Sequence, residues 1–439
     1  MMSEVSKHIE GILIYLNNNS NYALLRNYDG LPSNNSSRDI DIIISRKEYK
    51  RCKDKLLNAL TNDDWKIFSF LDNGRLITYV MAKVVGAKID LVQWDFFTDT
   101  SVHGVKLLSA EEMLLSRKFN GVLYHVSKEY EFLDKYVYNR AVRAQYPAKY
   151  SALMDEAKGS DIVQGKLKRL FGCSDIERLN AKRGLLFRAF LRNLCYSPIC
   201  TVVSVIVSIY LYVISCFGKK IAPTLAFTGA DGAGKSTVID MIIQSFSSVY
   251  GKATESFHFR PTLFGNLGEV AHSVGMKKEV DREYSNPHRG KNSGFISSFL
   301  RLCYYSTDYI LGYFIKVKSH CRITKLIIFD RYYSDLIVDS RRSLIFLNMG
   351  FLYVWGKLFI PKMRYNFLVT ADSDIILSRK KELDKADIVS INKNMTYLSN
   401  KKGYYLIENN NTPEECIQKI ISIVVNEQHT QNLKRVAKN

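Results

Sequence analysis

The segment LAFTGADGAGKSTVID, from Leu225 to Asp240, constrains the fold of this chain more than any other. It contains G-x-x-x-x-G-K-S between Gly229 and Ser236, with an apolar run before it and an apolar-periodic run after it. This order predicts a buried strand, a phosphate-binding loop and a helix within a parallel-sheet α/β domain. The glycines allow backbone N–H groups to turn towards a polyphosphate, and the helix N-terminus adds partial positive charge. A chance glycine-rich turn is the alternative.

Each position of the loop has an expected role if the loop binds ATP with Mg²⁺. Lys235 can reach the β- and γ-phosphates, and the Ser236 hydroxyl can ligate Mg²⁺. Backbone groups of the other loop residues are expected to contact the nucleotide: Gly229, Gly232, Ala233, Gly234 and Thr237.

A second apolar run, Leu326 to Asp330, ends in a carboxylate that is followed at once by Arg331. A carboxylate at the end of a strand can hold Mg²⁺ or orient its water ligands. An adjacent guanidinium can bind an acceptor phosphate through two hydrogen bonds. A strand end with a solvated ion pair is the alternative.

A third segment, Phe367 to Lys385, predicts a strand and a helix that ends in a basic cluster. Arg379, Lys380 and Lys381 can close over ATP as a lid and neutralise charge during transfer. The alternative is an exposed helix end, which favours cations because of the helix dipole.

These three segments together resemble thymidylate kinases over about residues 221–427, in both order and spacing. The resemblance implies a P-loop kinase domain, and it implies catalytic roles for Lys235, Asp330, Arg331, Arg379 and Lys380. By the same resemblance, Asp231 faces the acceptor, and Asn411 belongs to the loop on the adenine side. Ala233 is small, so the basic lid would supply the positive charge near the phosphates.

The acceptor side departs from that family, because its Arg-Glu-Pro-Gly-Gly-Thr motif is missing and Phe257 to Pro261 stands in its place. The phrase from Asp335 to Arg342 resembles thymidylate-kinase-like proteins found with bacterial surface-polysaccharide genes. The acceptor is therefore expected to be a nucleotide or a sugar or glycan. The expected acceptor-binding residues are Asp231, Arg260, Arg331, Asp335 and Arg341.

The first third of the chain carries a second candidate site. Asp39 and Asp41 alternate with isoleucines, so on a strand both carboxylates face one side, and Asp90 lies on a later β-like run. Three such carboxylates can hold two Mg²⁺ ions for nucleotidyl transfer. The pattern resembles the nucleotidyltransferase superfamily over about residues 22–94, although the Gly-Gly or Gly-Ser turn of that family is absent and Arg26 lies in its region. An edge strand with an exposed acidic face is the alternative. Farther along, residues 109–145 are expected to be helical, beginning with a capping box between Ser109 and Glu112.

The net charge of +19 suits nucleic acid, anionic lipid or phosphorylated substrates as partners. The sequence contains no helix–turn–helix, zinc-finger or RNA-binding pattern, so no specific nucleic acid is expected. The eight cysteines form no CxxC pair and indicate reduced thiols of a cytoplasmic protein.

The run from Ile199 to Phe217 is uncharged and has basic flanks that include Arg188, Arg192, Lys219 and Lys220. Its length makes it a transmembrane candidate. A single crossing would separate two nucleotide-dependent domains, so a re-entrant or surface-lying segment is favoured, and a buried helix between domains is the alternative. The basic, amphipathic stretch upstream supports membrane association.

The length of 439 residues is typical of two or three domains. We expect an α/β fold with four parts: a nucleotidyltransferase-like domain (1–150), a basic and apolar connector (151–220), a thymidylate kinase-like P-loop domain (221–428) and a polar tail (429–439). A cytoplasmic, ATP- and Mg²⁺-dependent kinase on the inner face of the membrane is the favoured interpretation. A membrane-associated ATP-binding regulatory or scaffold protein and nucleotidyl transfer by the first domain are alternatives, and homo-oligomerisation stays open.

Overall fold

The computed structural model describes residues 3–35, 37, 39–217, 222–250, 254–261, 263–264, 294–318 and 326–438. The chain divides into two compact units, each of the α/β class that the sequence predicted. Unit 1 comprises residues 1–83, 90–219 and 429–439, and unit 2 comprises residues 84–89 and 220–428.

Unit 1 combines one large sheet with helices on both of its faces. Its strands are β1 (Tyr22–Leu24), β2 (Asp39–Ile44), β3 (Lys66–Asp72), β4 (Leu76–Val85), β5 (Lys88–Phe97), β6 (Asp99–Val102), β7 (Val105–Ser109), β8 (Lys118–Phe119) and β9 (Tyr124–His125). Its helices are α1 (Glu4–Asn19), α2 (Arg46–Leu60), α3 (Ala110–Leu115), α4 (Lys128–Ala141), α5 (Ser151–Ala157), α6 (Asp161–Phe171), α7 (Ile176–Ala181), α8 (Leu185–Tyr196) and α9 (Pro198–Phe217).

The sheet of unit 1 is mixed and has the strand order β3-β4-β5-β2-β1-β9-β8. Strand β2 runs parallel to β5 and antiparallel to β1. The register sets Asp39 beside Gln93 and Asp41 beside Asp95. Because residues two apart share one face of a strand, the parallel pairing gathers these polar side chains on one face.

Both faces of β2 are covered by apolar cores, which explains its nearly continuous isoleucine run. Ile42 and Ile44 belong to a core that includes residues of α1 and α2, whereas Ile43 belongs to a second core that includes residues of α3, α4 and α6. Helix α3 begins at Ala110 with the predicted capping box between Ser109 and Glu112, but it ends at Leu115. The predicted continuous helix over residues 109–145 is therefore wrong, because the short strands β8 and β9 precede α4.

Residues 429–438 differ from the separate polar tail that the sequence suggested. The last helix continues to Val436, which is buried in the core shared by α1 and α2. The side-chain amide of Asn432 donates a 2.9 Å hydrogen bond to the Phe68 carbonyl.

Unit 2 contains β10 (Thr224–Thr228), β11 (Thr254–His258), β12 (Leu326–Asp330), β13 (Tyr365–Thr370) and β14 (Tyr404–Glu408). Its helices are α10 (Lys235–Ser245), α11 (Ser247–Tyr250), α12 (Phe295–Gly312), α13 (Tyr333–Val338), α14 (Met349–Phe359), α15 (Ser373–Arg379), α16 (Lys385–Ser399) and α17 (Pro413–Val436), the last of which ends in unit 1.

The five strands of unit 2 form one parallel sheet with the order β11-β12-β10-β13-β14. All carboxyl ends therefore lie at one edge, which is where ligands bind in open parallel sheets. The register sets Asp330 beside Phe227 on one side and His258 on the other. The glycine-rich loop and the carboxylate predicted to cooperate with it thus start from adjacent strands.

Helix α9 contains the uncharged run from Ile199 to Phe217. Its described apolar side chains are mostly exposed on unit 1. Within the ranges that the structure describes, no helix is sufficiently long and apolar for a membrane crossing. The predicted basic flank formed by Lys219 and Lys220 lies outside the described residues.

Candidate functional site

The glycine-rich loop of unit 2 connects the carboxyl end of β10 to the N-terminus of α10, as the sequence predicted. Gly232 and Gly234 have φ values of 90° and 88°, a left-handed backbone that favours glycine. A Cβ at Gly229 would lie 2.1 Å from the Val369 carbonyl oxygen. These glycines are therefore required by the path of the loop itself.

Lys235 lies inside this loop with only 6% of its surface exposed. Its ammonium donates hydrogen bonds to the carbonyls of Gly229 at 2.9 Å and Ala230 at 2.7 Å. Burial, together with the nearby Arg331, lowers the pKa of Lys235 to about 8. Lys235 therefore loses its proton more readily than an ordinary lysine, and an anionic ligand would favour the protonated form.

Asp330 is the last residue of β12, and the two oxygens of its carboxylate have different surroundings. Its Oδ2 lies 3.3 Å from His258 Nδ1, and its Oδ1 has no hydrogen-bond partner among the described residues. Burial raises the pKa of Asp330, but His258 and the nearby cations outweigh burial and hold that pKa below its ordinary value. An ionised oxygen without a donor is a suitable ligand for Mg²⁺, and the exposed Ser236 hydroxyl at the start of α10 is a second one.

Asp231 of the loop is held by three cations. Its carboxylate contacts the guanidinium groups of Arg331 and Arg342, and it lies 3.7 Å from the Lys235 ammonium. Burial alone would raise the pKa of Asp231, but these three cations keep it well below its ordinary value. The sequence analysis assigned Asp231 to the acceptor side and omitted Arg342 from the predicted site residues.

Arg331 bridges two carboxylates of this cluster. It pairs with Asp231 and, at 2.8 Å, with the buried Asp335. Its backbone is left-handed, with φ of 70°, and its N–H donates to the Phe227 carbonyl at 2.8 Å. Strained backbone of this kind is concentrated at functional sites. The predicted acceptor residues Asp231, Arg331 and Asp335 therefore form one connected network.

The other two predicted acceptor residues lie in different surroundings. Arg260 is 2% exposed, pairs with the buried Asp308 at 3.0 Å and lies 4.6 Å from the Tyr305 ring centroid. These contacts give Arg260 a structural role, and its contact with an acceptor stays a prediction. Arg341 is exposed and lies 3.5 Å from Asp387.

The predicted lid residues lie beside the loop at the end of α15. A Cβ at Gly234 would lie 3.7 Å from the Arg379 guanidinium, and a Cβ at Gly232 would lie 3.2 Å from Lys380 Cβ. The Lys380 ammonium pairs with Glu382 at 2.9 Å. The Arg379 guanidinium therefore lies close to the loop, whereas for Lys380 it is the base of the side chain that does.

The asparagine that contacts the loop is Asn409, whereas the sequence analysis selected Asn411. Asn409 is buried, and its side-chain amide donates a 2.8 Å hydrogen bond to the Ala233 carbonyl. Asn411 is exposed and donates to Glu415 at 3.0 Å. The position of Asn409 in the sequence could have indicated this contact. Asn409 directly follows β14, and the carboxyl end of β14 lies at the sheet edge that carries the loop.

Unit 1 contains a separate acidic cluster formed by Asp39, Asp41 and Asp95, with ligand atoms within 4.8 Å of one another. The third carboxylate is therefore Asp95 and not the predicted Asp90, because the parallel register sets Asp95 beside Asp41. Asp95 accepts hydrogen bonds from Thr78 at 2.6 Å and from the Gln93 amide at 2.9 Å.

Two features show that this cluster is not simply a solvated acidic face. Burial raises the pKa of Asp41 to about 7. The Oε1 atom of the buried Gln93 has no hydrogen-bond partner within the described part of the chain. A buried amide oxygen next to three carboxylates is an arrangement that suits a divalent cation.

Arg26, which replaces the expected glycine turn, lies against the same cluster. It pairs with Asp41 at 2.7 Å and with Asp134 at 2.8 Å. Beside it is a cavity of about 260 Å³ that is also lined by Arg75 and Lys135. Asp99 and Asp134 also line this cavity, so its cations and carboxylates are mixed.

Sequence comparisons with known proteins find no match, whereas solved structures include similar chains. No protein-family model matches the sequence, and no curated protein matches it. Among solved structures, the chain is similar to a thymidylate kinase from Ehrlichia chaffeensis, with 13% sequence identity and a TM-score of 0.33. The match covers 46% of this chain and 98% of the other. At this level of similarity, any statement about function depends on the residues described above.

Proposed function

We propose that unit 2 binds ATP with Mg²⁺ and transfers the terminal phosphoryl group to an acceptor. The observation that carries the proposal is the pairing of two groups at one sheet edge. One is the glycine-rich loop with the buried Lys235, and the other is the unpartnered, ionised Oδ1 of Asp330 on the adjacent strand. A cation for the phosphates and a carboxylate for Mg²⁺ are the two parts that recur in P-loop enzymes.

The residues of the site have distinct roles in this proposal. The loop amides and Lys235 hold the β- and γ-phosphates, and Ser236 and Asp330 are the protein ligands of Mg²⁺ when it is bound. The bound ion neutralises phosphate charge. Arg379 and Lys380 approach the transferring group from α15 and stabilise the charge that develops there.

The acceptor is proposed to lie beside the cluster of Asp231, Arg331 and Arg342. The two guanidinium groups of this cluster suit a phosphate group of the acceptor. The carboxylate of the cluster suits an acceptor hydroxyl group, which would donate a hydrogen bond to it. A nucleoside monophosphate or a phosphorylated sugar offers both a phosphate and a hydroxyl group. The sequence resemblance to proteins found with surface-polysaccharide genes favours the sugar or a glycan.

ATP turnover by the full chain, with a panel of nucleoside monophosphates and free or phosphorylated sugars, tests this proposal. We expect one acceptor class to stimulate turnover, and Lys235→Met and Asp330→Asn each to abolish that stimulation. Lys393→Met is the matched control, because Lys393 is an exposed lysine of α16. ATP binding without turnover for any acceptor would contradict the kinase and support the regulatory or scaffold alternative.

A second candidate function is nucleotidyl transfer by unit 1, which the acidic cluster and its orphaned Gln93 oxygen favour. In this case Asp39, Asp41 and Asp95 would hold the metal ions, and Arg75 and Lys135 would contact the triphosphate. Release of pyrophosphate that is abolished by Asp41→Asn and unaffected by Lys235→Met would support it. The reverse pattern would assign all turnover to unit 2.

A further inference from the structure

Helix α9 carries its apolar side chains on the outside of unit 1. Ile199 is 77% exposed, Ile206 is 59% exposed and Ile209 is 58% exposed. The other exposed apolar residues of this helix are Val202, Val203, Val207, Tyr210, Leu211, Tyr212 and Val213. Contiguous apolar surface of this kind is rare on proteins that contact only water, and it marks an interaction surface.

The side of α9 that faces the protein carries Thr201, Val205 and Ser208, and Val205 packs against the second core of unit 1. Thr201 is buried, and its hydroxyl donates to the Ser197 carbonyl at 2.8 Å. The helix packs against the turn between β6 and β7, where a Cβ at Gly104 would lie 2.5 Å from the Ser204 carbonyl oxygen. This orientation is the reverse of an ordinary surface helix, which buries its apolar face. The apolar face of α9 is therefore oriented towards a partner that is itself apolar.

Cations surround the start of α9. Arg183, Arg188 and Arg192 are exposed on the segment that leads through α8. Between α8, α9 and β7 lies a cavity of about 350 Å³, which is lined by Lys106, Arg169 and other residues. The Arg169 guanidinium lies 5.3 Å from the ring centroid of Tyr196, which is also exposed. Exposed arginines and a tyrosine next to an apolar helix form the composition of a membrane-interface segment.

We propose that α8 and α9 bind an anionic lipid bilayer. In this arrangement α9 contacts the acyl chains, and the cations of α8 and of the adjoining cavity contact headgroup phosphates. The charge distribution favours lipid over a second copy of the chain. A second copy carries the same net charge of +19, which opposes pairing through a surface that is flanked by exposed arginines. An anionic bilayer complements both the apolar and the basic part of the surface.

Vesicle flotation of the full chain tests this proposal. We expect binding to vesicles that contain phosphatidylcholine and phosphatidylglycerol, and weaker, salt-independent binding to phosphatidylcholine alone. Ile206→Glu is expected to lower the vesicle affinity about a hundredfold, because a charge on the lipid-facing side must enter the hydrocarbon. Val389→Glu is the matched control, since Val389 is 53% exposed on α16, and it is expected to bind like the wild type.

Three outcomes would overturn the proposal. The first is that the wild type does not float with either vesicle. The second is that Ile206→Glu and Val389→Glu float equally well. The third is a concentration-dependent dimer in sedimentation experiments that Ile206→Glu dissociates, which would assign the α9 surface to a second copy. Circular dichroism of both variants checks that the substitutions leave the fold intact. None of these results depends on turnover by unit 2.

Discussion

The protonation of Lys235 leads to a quantitative prediction for nucleotide binding. Its pKa lies at about 8 because the side chain is buried, against an ordinary value of 10.5. Protonation of Lys235 is therefore less favourable than protonation of an ordinary lysine by about 3 kcal/mol. In the free protein the ammonium is present below pH 8 and is lost as the pH rises above it. A polyphosphate favours the protonated form, so its affinity should fall over the same range.

The expected size follows from the fraction of protonated Lys235. That fraction falls from about three quarters at about pH 7.5 to about 3% at about pH 9.5. We therefore expect ATP affinity in the presence of Mg²⁺ to decrease by about 25-fold, provided that the neutral amine contributes little to binding. Above pH 7 the phosphate groups of ATP change charge very little, so the side chain of Lys235 determines the trend.

Isothermal titration of ATP into the full chain at several pH values provides the assay. In Lys235→Met, which retains the length of the side chain but not its charge, we expect weak binding that changes little with pH. A wild-type affinity that stays constant between about pH 7.5 and 9.5 would refute the reasoning, which rests on a pKa of about 8. An equal decrease in Lys235→Met would refute it as well, because another group would then be responsible.

Three further predictions concern residues whose surroundings the structure defines. Asn409→Ala should lower ATP affinity up to about tenfold, because the loop loses a buried hydrogen bond, and Asn411→Ala should not; equal effects in titration calorimetry would contradict this. Asp95→Asn should abolish Mn²⁺ binding to unit 1 in paramagnetic resonance experiments, and Asp90→Asn should preserve it; the opposite result would restore the sequence-based choice. Arg260→Leu should lower the free energy of unfolding by about 3–5 kcal/mol in urea denaturation, since a buried carboxylate loses its partner, and a change below about 1 kcal/mol would argue against a structural role.

The sequence was most informative where one short segment determines its own conformation. The loop from Gly229 to Ser236 needs glycine at defined positions, and its motif identified the strand, the turn and the helix. The capping box at Ser109 and Glu112 likewise depends on residues three apart. Such local features are independent of how distant strands pair.

The sequence was least informative where the register of distant strands determines the neighbours. Asp90 and Asp95 lie on the same strand, and only the parallel pairing of β2 with β5 shows that Asp95 is next to Asp41. The contact of Asn409 with the loop is likewise visible only in the folded chain. The pairing of Arg260 with Asp308 could not be predicted, because Asp308 lies on a helix far along the chain.

Tracing the label from ATP carrying radioactive phosphorus at either the γ- or the α-position tests the central claim most directly. The full chain would be incubated with Mg²⁺ and the acceptor panel, and the labelled products separated. Our account predicts that the γ-label appears on an acceptor, that the α-label stays in ADP, and that Lys235→Met abolishes the transfer. Label from the α-position on an acceptor, or the same γ-transfer by Lys235→Met, would contradict phosphoryl transfer by unit 2.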